Sequence, residues 1–164
     1  MNFKRYHVSK NLFDESTIIY GKWTSSAGVV DDYVSGARTV DISASVITIK
    51  IYGVLPFSFS VCWLDINKEF IERWHQANPS SNPYTLNPPQ NAEYFYFQVA
   101  NGNTLNPITA EQIASYQIML NTGSIPQPYE PYSSEVWHDI PIYKRSVLVW
   151  NTDTTYERSD GSWT

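Results

Sequence analysis

Four runs of the chain alternate with a period of two, the spacing that sets one face of an extended strand against a core. In Val46-Ile-Thr-Ile-Lys-Ile-Tyr52, Ile47, Ile49 and Ile51 share one face while Thr48, Lys50 and Tyr52 share the other. The next run puts Phe57, Phe59, Val61 and Trp63 opposite Ser58, Ser60 and Cys62. In Glu93-Tyr-Phe-Tyr-Phe-Gln-Val99, Phe95, Phe97 and Val99 point inward, and Tyr94, Tyr96 and Gln98 outward. Tyr116, Ile118 and Leu120 alternate with Gln117, Met119 and Asn121 in the fourth. Weaker strand patterns lie at residues 17–23, 38–43 and 146–151. A chain patterned this way folds as sheets.

Only two segments compete as helices. Asn106-Pro-Ile-Thr-Ala-Glu-Gln-Ile-Ala114 carries a Thr109-x-x-Gln112 capping box and predicts one short turn of helix. Residues 65–76 space Ile66, Phe70, Ile71 and Trp74 almost helically, but they also read as a turn at Ile66-Asn-Lys68 followed by a second strand. The second reading is favoured, because the strand before it runs straight into the turn. Pro- and Asn-rich connections at 78–90 and 122–132 are too proline-laden for central strands. Many short strands with such turns predict an antiparallel β-sandwich over residues 1–132. Residues 133–164 read as a linker and a small C-terminal β segment turning at Ser159-Asp-Gly161, too short to bury much alone.

Composition narrows the chemistry. Among 164 residues there are 16 acidic and 11 basic side chains, a net charge of −5. Charged residues make up 16%, against roughly 25% in a typical domain. Nucleic acid is a poor partner for such a chain, since that affinity comes from cations releasing phosphate counterions. Anionic membrane surfaces are disfavoured on the same ground, and no window approaches the roughly 18 apolar residues of a membrane span. The start, Met1-Asn-Phe-Lys-Arg-Tyr-His7, lacks the apolar stretch of a signal peptide, so a soluble protein is expected.

No constellation points to catalysis. Cys62, the single cysteine, lies in an apolar run and reads as a small buried hydrophobe. Asp65-x-Asn67-x-Glu69 imitates the opening of a calcium loop, but Phe70 stands where glycine should follow and Gln76 where the bidentate Glu belongs. It reads as a polar turn. His7, His75 and His138 form no short-spaced ligand pair, and no strained GxSxG turn presents a nucleophile. There is no glycine-rich phosphate cradle either. The expectation is therefore a non-enzymatic protein with no metal and no cofactor.

What remains is the aromatic excess: 7 Phe, 6 Trp and 12 Tyr give 25 rings. Phe57, Phe59, Trp63, Phe95 and Phe97 belong in the core. Rings beside Asn, Ser and Gln suit recognition of polar surfaces. They suit sugars especially, because a pyranose offers an apolar C–H face to stack and hydroxyls to bond. Trp23, Tyr33, Trp74, Tyr84, Tyr94 and Tyr96 form the candidate stacking pool, with Asn82 and Gln98 as polar partners.

The segment Gln117-Ile-Met-Leu-Asn-Thr-Gly-Ser-Ile-Pro-Gln-Pro-Tyr-Glu-Pro-Tyr132 resembles a recurring stretch of tail and baseplate proteins from phages of Gram-positive bacteria. Lys10-Asn-Leu-Phe-Asp14 is similar to the opening of the same modules. Residues 59–71 resemble their strand, Asp-x-Asn-Lys turn and Phe-Ile hairpin. Pro89-Gln-Asn-Ala-Glu-Tyr-Phe-Tyr-Phe97 resembles a further strand, with Tyr96 where the family commonly has Arg. Together these cover residues 10–132, and Trp137-His-Asp-Ile-Pro141 is similar to the stretch that adjoins such modules on their C-terminal side in phage proteins. The resemblance implies an antiparallel jelly-roll β-sandwich like the galactose-binding carbohydrate modules. It implies a virion component, made in the host cytoplasm, that attaches to host cell-wall polysaccharide and joins other tail or baseplate proteins, with repeated copies adding avidity. The alternative is a structural baseplate adaptor of the same fold without sugar binding. The family supplies no catalytic residues to carry over.

Overall fold

A computed structural model describes residues 9–133, apart from 81, 82 and 104, and the backbone of three further strands at 2–5, 138–141 and 156–158. The chain divides into two compact units: Lys10–Tyr132, and Met1–Ser9 together with Ser133–Thr164. The sandwich unit thus begins at residue 10, whereas the sequence reading started it at residue 1. The reason is pairing: β1 (Asn2–Arg5) lies antiparallel between β11 (His138–Pro141) and β12 (Tyr156–Arg158) in a three-stranded sheet. The strand expected at 146–151, the turn at 159–161 and Trp137 lie outside the described residues.

Within Lys10–Tyr132 every strand pairing is antiparallel. The larger sheet runs in the order β2 (Ile19–Thr24), β3 (Val30–Arg38), β9 (Tyr94–Ala100), β6 (Ser58–Leu64), β7 (Phe70–Ala77). A short β4 (Ile42–Ser43) continues beyond β3 along the same edge of β9. The smaller sheet is β10 (Ile118–Thr122), β5 (Ile47–Ile51) and β8 (Tyr84–Leu86). One core draws on both sheets: Phe59, Val61, Trp63, Phe95 and Phe97 from the larger, and Ile47, Ile49, Ile51, Ile118 and Leu120 from the smaller. Its rings pack closely, with centroids 5.3 Å apart for Trp63 and Phe95 and 5.4 Å for Phe59 and Phe97. The result is all-β and sandwich-like. Residues 65–76 form a turn and then a strand, as favoured, with Leu64 paired to Phe70 across the turn.

The predicted capping box forms. Thr109 accepts from the Gln112 N–H, the Gln112 side chain accepts from the Thr109 N–H, and α1 (Ala110–Tyr116) follows. Tyr116 therefore ends a helix where the alternation had begun a strand, and Gln117 turns the chain in the left-handed region (φ 48°). The helix end docks on Gly53, whose N–H reaches the Tyr116 carbonyl at 3.0 Å. A Cβ at residue 53 would sit 2.0 Å from the Ser115 carbonyl oxygen, so the close approach demands glycine. Phe57 is a correction: it is 54% exposed because it precedes β6 and lies over Gly102 instead of entering the core.

Both ends of Lys10–Tyr132 are closed by one side chain. Asn11 is 2% exposed and uses its whole amide. Its Nδ2 donates to the Ile118 and Glu130 carbonyls, each at 2.9 Å, and its Oδ1 accepts from the Phe13 and Leu120 N–H groups at 3.0 Å. The first motif of the family resemblance is thereby tied to the last. The exit after β10 then crosses the far face of the small sheet, where the Thr48 hydroxyl donates to Gly123 O and the Tyr52 hydroxyl to Gln127 O, both at 2.7 Å. Thr48, Met119 and Asn121 are buried in consequence.

Replacing Asn11 by Ala strands two N–H groups and two carbonyls near the core, so we expect a loss of about 3 kcal/mol in urea unfolding. Asn11→Asp should not restore it, because a carboxylate cannot donate to either carbonyl. A midpoint shift too small to measure for both variants would refute this account. Cys62 provides a second expectation. Burial pushes its thiol up to about 11, against about 8.5 in an unfolded chain. The folded state holds that proton more tightly, so its stabilising effect is complete below about pH 8.5 and declines as pH rises towards 11. A thiol reagent at about pH 8 should therefore label the native chain only as fast as it unfolds; immediate stoichiometric labelling would contradict the burial.

Candidate functional site beneath the β2–β3 hairpin

Tyr94, Tyr96 and Gln98 alternate away from the core, and in a bare two-layer sandwich they would meet solvent. The β2–β3 hairpin prevents this. Near its base Tyr20 pairs with Ala37, but the next pair is Lys22 with Asp32, two residues of one strand against five of the other. Such a bulge bends the strand and strengthens its twist. The bulged backbone is satisfied elsewhere: Val34 O accepts from the Ile108 N–H and Ser35 O from the Asn101 N–H. The bent hairpin lies across the outer face of β9, β6 and β7.

Thr24 holds it there. Its N–H donates to Gln98 Oε1 at 2.9 Å, while its carbonyl accepts from Gln98 Nε2 at 3.0 Å and Arg73 Nη1 at 2.8 Å. The Thr24 and Tyr96 hydroxyls are 2.6 Å apart. At the hairpin tip Gly28 (φ +78°) rests on Phe70; a Cβ there would come within 2.5 Å of the ring. A second small cluster of Cys62, Leu64 and Tyr96, with Phe70 and Tyr94 against it, is buried below. Ser58–Leu64 is consequently buried on both faces.

Where the cover ends, a cavity of about 210 Å³ opens. Leu64, Phe70 and Tyr96 line it from β6, β7 and β9, Gly28, Val30 and Arg38 from the β2–β3 hairpin, and Asp41 and Lys68 from the connections after β3 and β6. It is smaller than the roughly 300–1,000 Å³ of common ligand pockets. The Asp41 carboxylate is 3.0 Å from Lys68 Nζ and 3.6 Å from Arg38 Nη1. The Arg38 guanidinium lies 4.4 Å from the centre of the Tyr96 ring, and Lys68 Nζ 5.5 Å from that of Tyr94. Burial, with the nearby Cys62, pushes the Tyr96 phenol well above its ordinary range, so it stays protonated. The arrangement offers one acceptor, two cationic donors and aromatic walls.

The structure separates the predicted ligand residues. Tyr96 lines the cavity and is only 3% exposed, whereas Tyr94 does not line it and lies with its ring centre 5.5 Å from Lys68 Nζ. Gln98 is a correction: it is wholly buried, and both ends of its amide are consumed by Thr24, so it cannot meet a ligand. Trp74 and Tyr84 are half-buried. They pack on Phe59 with centroids at 5.6 and 5.3 Å and finish the margin of the main core. Trp23 and Tyr33 stay half-buried on the outer surface, 6.1 Å apart, in a separate group with His75 and Arg73. Asn82 lies outside the described residues.

That group contains a Ser60–His75 hydrogen bond of 2.8 Å. Ser60 is fully buried, so its hydroxyl reaches no substrate. Burial and then Arg73 lower the His75 pKa, disfavouring the charged imidazolium. Asp65 closes its turn by accepting from the Asn67 and Glu69 N–H groups. Among the described residues no three His, Cys, Asp or Glu side chains gather as a metal site.

Arg38, Asp41, Lys68 and Phe70 were not in the predicted set. Lys68 and Phe70 stood in the quoted hairpin motif, but the meeting of that turn with Arg38 and Asp41 depends on strand order. The hairpin's dependence on Gln98 is testable. Gln98→Leu leaves both polar groups of Thr24 short of a partner, so we expect about 2 kcal/mol of destabilisation and faster amide exchange at Thr24. Unchanged protection at Thr24 would show that other contacts hold the hairpin.

No protein-family model matches this chain, and neither a curated protein nor a solved structure is found similar to it.

Proposed function

We propose that this protein is a non-enzymatic saccharide-binding module of the jelly-roll, galactose-binding-like type. In this reading it serves on a phage tail or baseplate and attaches the virion to host cell-wall polysaccharide. The observation that carries it is the cavity beneath the hairpin, where Asp41, Arg38 and Lys68 face Phe70 and Tyr96. A pyranose needs such a mixture. Its C–H face stacks on a ring, neighbouring hydroxyls donate to a carboxylate, and hydroxyl oxygens accept from a guanidinium. The small volume suits a single sugar unit of a polymer better than a long oligosaccharide. Weak contacts of that size become firm attachment when several copies engage one wall.

The resemblance of residues 10–132 to tail modules supports the biological setting, and the joining of its first and last motifs through Asn11 gives those motifs a shared structural purpose. The test is a host cell-wall pulldown combined with a glycan array, using the whole chain. Asp41→Ala and Phe70→Ala should each weaken binding by about tenfold or more, near 1.4 kcal/mol. Leu105→Ser, at a residue 86% exposed and not lining the cavity, should bind normally. If the unaltered chain retains no saccharide in either assay, the structural adaptor becomes the better reading.

A further inference from the structure

The charge of the cavity runs against that of the chain. The protein as a whole carries −5, yet two cations and one carboxylate line this pocket. Arg38 is the more informative of the cations. Its guanidinium carbon lies 4.4 Å from the centre of the Tyr96 ring, and Nη1 is 3.6 Å from the Asp41 carboxylate. Its Nε is out of solvent and has no hydrogen-bond partner. Buried donors are seldom left that way. A guanidinium presents its donors as a rigid fork, which matches a pair of oxygens on one carboxylate or phosphate. A single sugar hydroxyl would satisfy only one prong. Lys68, with its side chain 58% exposed, adds a second positive charge beside Asp41. Arg73 also has an unpartnered Nε, but its Nη1 is committed to the Thr24 carbonyl and it does not line the cavity.

We propose that the saccharide unit taken by this cavity bears an anionic group, a carboxylate or a phosphate, engaged by the Arg38 guanidinium with Lys68 alongside. The proposal rests on the saccharide-binding reading above and specifies its substrate class. Attraction of this kind shortens in range with salt, from a Debye length of about 10 Å at 0.1 M to about 3 Å at 1 M.

The experiment is calorimetric titration of the whole chain with glucose, glucuronate, glucose 6-phosphate and inorganic phosphate, at low and at high salt. At low salt at least one charged sugar should bind about tenfold or more tighter than glucose, and the difference should shrink at about 1 M salt. Whichever of glucuronate and glucose 6-phosphate binds better identifies the anion as carboxylate or phosphate. Arg38→Gln should abolish the preference, with circular dichroism verifying the fold. Should that variant fail to fold, Lys68→Gln and the salt dependence carry the test, because Lys68 is mostly in solvent. Equal binding of glucose and both charged sugars overturns the proposal and leaves saccharide binding intact. Binding of none of the three sugars overturns both, as does inorganic phosphate binding as tightly as glucose 6-phosphate while glucose and glucuronate do not bind, since the sugar would then contribute nothing.

Discussion

A single amide in the middle of β9 organises the outer half of this molecule. Gln98 is fully buried, two strands in from the β2 edge, and its side chain binds the Thr24 backbone through both donor and acceptor. That pair replaces the water that a solvent-facing Gln would otherwise bind, and it fixes the hairpin over the sheet. The second face of β6 is buried as a result, Cys62 becomes inert, and the rim of the cover becomes one wall of a cavity. Polar pairing at this depth is exacting, because a partly satisfied network costs more than an apolar one. Thr24, Gln98, Tyr96 and Arg73 therefore act as one unit.

The smaller sheet solves the same problem by another route. Its far face is covered by an irregular segment after β10, and the free edge of β10 is met by residues 11 and 12, with the Leu12 N–H donating to Leu120 O. An uncovered strand edge invites pairing with other chains. Asn11 closes it by imitating a peptide group at four positions. The proline-stiffened exit suits the task, since prolines need no ladder donor and little entropy is lost in ordering them.

Much of this was legible in residue order. The alternation around Ile47, Ile49 and Ile51, the Thr109–Gln112 box and the Asp65 turn are local matters of period and capping, and each forms where the pattern put it. The site was legible only in part. Tyr94 and Tyr96 were singled out as outward-facing and Tyr96 does line the cavity, but Tyr94 and Gln98 from the same strand do not. Trp74 and Tyr84 looked free because they stand beside polar loop residues, whereas the gap between the two sheets at Phe59 absorbs them. Arg38 and Asp41 gave no signal, since a cation and an acid three residues apart are common on any surface.

The sequence by itself determined the all-β character, which side chains share a face along most of β5, β6 and β9, where the short helix starts, and a surface poor in charge. These follow from the two-residue period of a strand and from interactions that span only a few residues. Tertiary structure alone decided that the larger sheet has a covered outer face, that the first nine residues leave the sandwich unit, and that Arg38, Asp41, Lys68 and Phe70 surround one cavity. The physical reason is that a period of two identifies two faces but is silent about what lies against the second. That depends on a bulge between Tyr20 and Lys22 and on a hydrogen bond spanning residues 24 and 98, neither of which local spacing encodes.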